Sequence, residues 1–186
     1  VEDAEIVLLY WQRNECAIDE TQRKYGAYLT RIAYNILGDL QDSKECVNDT
    51  YLKAWSAMPP HRPIALSTFL GKITRRTAID VFRKRNSQKH GKGEFCLTLS
   101  ELAQCLSGGD DPEDELGGHL LGEAINAFLR ALPTETRRIF VARYYFATPI
   151  RALAARCGVS QSKVKSLLHR TRLLLKEHLI KEGFLP

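Results

Sequence analysis

Six cations and one acid fall within residues 67–85, STFLGKITRRTAIDVFRKR. At 100° per residue, Lys72, Arg75, Arg76 and Arg83 share one side of a helix, and Leu66, Phe69, Leu70, Ile73, Thr77 and Val81 share the other. A helix divided in this way docks by its apolar stripe and turns cations toward an anion, so the chemistry in reach is the holding of phosphates. A face that served only solubility would mix signs to avoid self-repulsion, and this stretch sets a single acid, Asp80, against six cations. A second constellation lies in PIRALAARCGVSQSKVKSLLHRTRLLLKEHL, residues 149–179. With Val164 inward, Ser162, Lys165, Ser166 and His169 face outward, and Arg170 and Arg172 lie on the flanks. Such groups hydrogen-bond base edges or phosphates in a major groove.

Catalytic spacings are missing from the chain. There is no carboxylate pair near a His in a metal-binding pattern, and no Cys has an evident base partner. The five cysteines (Cys16, Cys46, Cys96, Cys105, Cys157) are odd in number and scattered without a CxxC pair. They are expected to be reduced, mostly buried thiols, and neither a metal nor a cofactor is expected.

The elements that carry these residues read as helices. Tyr28, Ile32 and Ile36, and later Ile125, Phe128, Leu129 and Leu132, repeat at helical spacing, and no long alternating pattern appears. The fold class is therefore all-α. Gly38-Asp39 closes one helix, and Asp42 with Glu45 forms a D-x-x-E start for the next, which runs to about Met58. Pro59, Pro60 and Pro63 then hold an extended loop, and Ser67 is the expected N-cap of the basic helix. Downstream, Ala154 is the small residue of a helix-turn-helix contact, Gly158 its turn, and Val159, Val164 and Leu167 its anchors. Leu153 and Cys157 complete the first helix and Ser160 caps the second; the alternative is an ordinary helical hairpin with a solvated basic face.

Charge is segregated along the 186 residues. Residues 1–61 carry 6 basic and 10 acidic side chains, 62–93 carry 9 and 1, 94–119 carry 0 and 7, and 120–186 carry 12 and 4. Two basic blocks flanking an acidic one suggest two polyanion contacts joined by a segment kept off the polyanion. Residues 87–119 hold six glycines and the run SGGDDPEDELGG, and read as a linker in which FCLTLSELAQCL forms a short helix. Two small helical domains, 1–90 and 119–186, joined by an acidic flexible linker, 91–118, are thus expected. The linker is either a solubilising spacer or the occupant of a nucleic-acid channel. No run of 18 apolar residues is present and the N-terminus is acidic, so a cytoplasmic chain without membrane insertion is expected. It opens on Val1 rather than Met, and a few native residues are expected to precede it.

LPTETRRIFVARYYFATPIRALAARCGVSQSKVKSLLHRTR resembles the C-terminal promoter-binding domain of bacterial RNA polymerase sigma factors. DSKECVNDTYLKAW followed by STFLGKITRRTAIDVFRKR resembles their core-binding and -10-binding helices. With no middle domain between the two, the resemblance is to the extracytoplasmic-function group. It implies a transcription initiation factor rather than an enzyme, one that recognises -10 and -35 elements and assists melting. Core RNA polymerase, through its clamp helices and flap, promoter DNA and an anti-sigma factor are the implied partners. The resemblance assigns Asp42, Glu45, Asn48 and Asp49 to core polymerase, although helix capping also accounts for Asp42 and Glu45. It assigns His61, Arg62, Ser67, Lys72, Arg75, Arg76 and Arg83 to the -10 strand. Arg143, Ser162, Lys163, Lys165, Ser166, His169, Arg170 and Arg172 go to the -35 duplex, and the acidic linker to the RNA exit path. Arg76 stands where the family usually has Asn, Phe69 where Trp is common, Lys163 where Thr usually precedes the Val, and Leu167 where Arg is frequent. Promoter preference therefore does not transfer from a relative. The alternative is a stand-alone helix-turn-helix regulator, which leaves the acidic-amide helix and the first basic block without a use.

Overall fold

The computed structural model describes residues 1–86, 94–106 and 115–185. Among them all regular structure is helical: α1 (Asp3–Trp11), α2 (Cys16–Leu37), α3 (Leu40–Ala57), α4 (Leu66–Asn86), α5 (Glu94–Leu106), α6 (Glu115–Ala131), α7 (Thr134–Tyr144), α8 (Ile150–Cys157) and α9 (Gln161–Lys181). The chain divides into two units, Val1–Phe95 and Cys96–Pro186. Among the described residues no helix is long and apolar enough to cross a membrane.

In the first unit α2, α3 and α4 pack on one another and α1 lies on α2. The buried face of α2 is Leu29, Ile32, Ala33 and Ile36, at helical spacing; Tyr28, expected in that stripe, is partly exposed and Leu29 takes its place. Gly38 ends α2 in the left-handed region, at φ 71°, where a Cβ would be strained. The cap that starts α3 is Asp39, whose carboxylate accepts the Asp42 amide at 2.9 Å. The D-x-x-E start expected at Asp42 is displaced by that earlier cap. Asp39→Ala should cost unit 1 about 1 kcal/mol, while Asp39→Asn keeps the acceptor and most of the stability. Urea unfolding followed by tryptophan fluorescence checks this, since Trp11 and Trp55 both lie in unit 1.

α4 buries Leu66, Leu70, Thr74, Thr77 and Ala78. Ser67, expected as its N-cap, lies inside the helix, because α4 begins at Leu66. Between α3 and α4 runs a polar seam in which each hydroxyl is satisfied. Thr50 donates to the Cys46 carbonyl at 2.9 Å, Thr74 to the Leu70 carbonyl at 3.0 Å, and the two hydroxyls meet at 3.1 Å. A paired hydroxyl escapes the penalty of polar burial, so the stripe can pass through threonines.

The second unit gathers α6 to α9 on a core of Phe128, Ile139, Phe140, Leu153, Val164, Leu168, Leu175 and Leu179. Gly158 turns the chain between α8 and α9 at φ 64°, and the Ser160 hydroxyl caps α9 by accepting the Lys163 amide at 3.2 Å. Of the residues read as linker, 94–106 form α5, and α6 begins at Glu115, ahead of the domain start expected at 119. The acids Asp110, Asp111, Glu113 and Asp114 lie outside the described residues. Of the cysteines, Cys46 is buried, Cys96 and Cys157 are half-buried, and Cys16 is exposed, so the expectation of mostly buried thiols is not met among the described side chains.

Candidate nucleic-acid interface

Because the apolar face of α4 is spent on α2 and α3, its opposite face is presented outward. Lys72, Arg76 and Arg83 are exposed there. Arg75 is half-buried and engaged within the fold, so it is not part of the free face. Arg85 is exposed but forms an ion pair with Asp42.

The segment leading into α4 is held from α1. The Trp11 indole donates to the His61 carbonyl at 3.2 Å, the Arg62 guanidinium stands 5.8 Å from the Trp11 ring, and the His61 ring lies 6.5 Å from that of Phe69. His61 and Arg62 stay exposed and Ser67 is half-buried. Nothing in the sequence pattern singled out Trp11; its signal would have been a large aromatic on a short helix that buries only Ile6, Val7 and Tyr10.

On α3 the assigned residues separate. Glu45, Asn48 and Asp49 are exposed at i, i+3 and i+4 and form one face. Asp42 is half-buried, its carboxylate spent on Arg85, so it serves the fold and does not join that face. Leu52 extends the face by a turn at 62% exposure, an apolar residue that sequence reasoning passed over. It lines a surface hollow with Glu15, Ile18, Asp19 and Trp55. An exposed leucine rimmed by acids suits a basic amphipathic partner.

In the second unit the helix-turn-helix is formed by α8 and α9, with Ala154 and Val164 buried at the contact. Ser162, Lys163, Lys165, Ser166, His169 and Arg170 are exposed on the first half of α9, and Arg172 is half-buried. Arg143 departs from expectation. It is 1% exposed and cannot touch DNA as it stands. Its guanidinium donates to both oxygens of Glu101 on α5, at 2.6 and 3.3 Å, and to the Thr148 carbonyl at 3.1 Å. The Tyr144 hydroxyl donates to Glu101 at 3.0 Å and accepts from Arg172, whose guanidinium lies 3.5 Å from the same carboxylate. Burial alone would raise the Glu101 pKa; Arg143, Tyr144 and Arg172 outweigh it and hold the carboxyl below its ordinary value. Burial likewise pushes the Tyr144 hydroxyl up to about 12, which keeps it a donor at neutral pH. Among the described residues no three His, Cys, Asp or Glu side chains gather as metal ligands would.

Two family models match the chain in the order of these faces: Sigma-70 region 2 over residues 22–88 and Sigma-70, region 4 over residues 122–175. The first match holds α3, α4 and the segment between them, and the second holds most of α6, all of α7 and α8 and most of α9. The ECF RNA polymerase sigma factor SigE of Mycolicibacterium smegmatis is 24% identical over 89% of this chain and 62% of its own length. The RNA polymerase sigma factor YlaC of Bacillus subtilis is 24% identical over 89% of this chain and 93% of its own. The chain thus spans under two thirds of the first relative and nearly all of the second. Two sigma regions in order, on two helical units with outward basic faces, and relatives matched across both, place the chain in the sigma-70 family of RNA polymerase sigma factors, in its extracytoplasmic-function group.

Proposed function

We propose that the chain is a transcription initiation factor that binds core RNA polymerase and brings it to specific promoters. In this reading Glu45, Asn48, Asp49 and Leu52 of α3 meet the polymerase. The exposed cations of α4, with His61 and Arg62, hold the unpaired -10 strand, and the exposed face of α9 reads the -35 duplex. No bond-making is asked of the chain. Strand opening comes from binding energy, while the polymerase transfers nucleotides. The chain works where its polymerase is, in the cytoplasm, and a protein antagonist that covers these faces is the expected regulator. The observation that carries the reading is the pair of exposed basic faces on separate units, each inside its own sigma-region match.

Reconstituted transcription with purified core polymerase on a genomic promoter library tests it. The chain should confer start sites that core polymerase alone lacks, and no gain in specific starts would overturn the reading. The polymerase face has its own test. Asn48→Ala with Asp49→Ala removes exposed groups only, so the helical circular dichroism should be kept while affinity for core polymerase falls about tenfold or more. Unchanged affinity in a direct titration would remove that face from the interface.

A further inference from the structure

We propose that α5 competes with DNA for the helix-turn-helix unit: the Glu101 carboxylate occupies Arg143 and Arg172, and the unit engages duplex fully only after α5 has let go. The proposal rests on the DNA-binding reading of unit 2. An arginine fork matches carboxylate and phosphate with the same geometry, two parallel N–H donors on two oxygens. Glu101 takes both donors of Arg143 and also draws in Arg172 and the Tyr144 hydroxyl. It therefore sits as a phosphate would, and a phosphate can reach Arg143 only if Glu101 leaves. The Thr148 carbonyl is a second anchor for that guanidinium within its own unit, so Arg143 stays beside the turn into α8 when α5 departs.

The docking of α5 is partial, with Phe95 and Thr98 its two buried residues among the described side chains. Leu102 and Leu106 pack against the core only in part, while Leu97 and Leu99 remain about half exposed. The cost of release is thus set by a few apolar contacts and one ionic cluster. An element that is docked most of the time lowers apparent affinity by the fraction of molecules left competent; docking for about nine-tenths of the time lowers it about tenfold.

The experiment compares the full chain with three variants by fluorescence anisotropy, on a labelled mixed-sequence duplex of about 30 base pairs at about 50 to 200 mM salt. Glu101→Gln keeps the shape and removes the charge. Leu102→Ala with Leu106→Ala loosens α5 without altering any charge. Glu177→Gln removes an exposed acid of the same unit that lies outside the cluster. The first two should bind about tenfold tighter than the parent, and Glu177→Gln should stay within about twofold of it. Equal or weaker binding by the leucine variant, with its helical circular dichroism intact, overturns the proposal and makes the Glu101 cluster a staple of the fold. If Glu101→Gln loses helix, the leucine variant decides alone; if both lose helix, α5 is integral to the unit and the proposal fails. Absence of duplex binding by the parent and every variant at the lowest salt overturns the DNA-binding reading itself.

Discussion

Replacing Lys72, Arg76 and Arg83 together with alanine should leave duplex binding by the C-terminal unit intact and abolish promoter melting. The three side chains are exposed, and the residues that seat α4, from Leu66 through Leu70, Thr74 and Thr77 to Ala78, lie on its other face. Alanine is the strongest helix former, so the element survives the change. Arg75 and Arg85 are left out because one is half-buried and engaged and the other pairs with Asp42, and their loss would mix folding with binding. At roughly 1 kcal/mol for each partly solvated ionic contact, three contacts are worth about a hundredfold in affinity for single-stranded DNA. The salt slope on single strands should fall by about 2, at 0.7 per phosphate. Permanganate footprinting of unpaired thymines, with polymerase reconstituted on the triple variant, checks the outcome. Normal melting would show that the cations of α4 are a solvated face.

The parts of this molecule that were legible in its sequence are those decided by neighbours along the chain. Gly38 and Gly158 announced left-handed turns and Ser160 an N-cap, because each acts on backbone within a few residues. Periodicity located the stripe of α4 but not its chemistry, since Thr74 is buried on the strength of a bond to the Leu70 carbonyl one turn back, beside the Thr50 hydroxyl of α3. It located the stripe of α2 to within one position, exchanging Tyr28 for Leu29, because two adjacent apolar residues differ by 100° and only packing decides which turns inward. The D-x-x-E pattern placed the start of α3 at Asp42, but Asp39, read as closing the preceding helix, holds the cap. Charge pairing was the least legible part: Asp42 is held by Arg85 and Arg143 by Glu101, partners from distant positions. A single sequence has no way to signal that a cation is already paired across 42 residues.

That pairing decides how the last result should fall. Lys165→Ala removes an exposed side chain from the half of α9 that follows the Ser160 cap, where the first turns of a recognition helix meet base edges. If Lys165 reads a base, duplex affinity should drop by about 1 to 3 kcal/mol, or about 5- to 150-fold, and selectivity should relax at one position of the site. If it touches phosphate, the loss should be uniform across sequences and the salt slope should fall by about 1. Arg143→Ala should behave differently from either. It would leave Glu101 facing Tyr144 and Arg172 with its main partner gone, which loosens α5, and it would also take away the guanidinium that a phosphate could use once α5 departs. Its signature is a lower melting temperature of the chain together with weaker duplex binding, whereas Glu101→Gln frees the same guanidinium and should bind more tightly. Lys165→Ala should keep its melting temperature, because its side chain reaches solvent and supports nothing beneath it. Measuring unfolding and duplex affinity on both variants therefore separates a residue that only reads DNA from one that also holds α5 to the reader. A Lys165 variant that binds duplex normally and fails only at melting would assign the C-terminal face a task other than reading duplex.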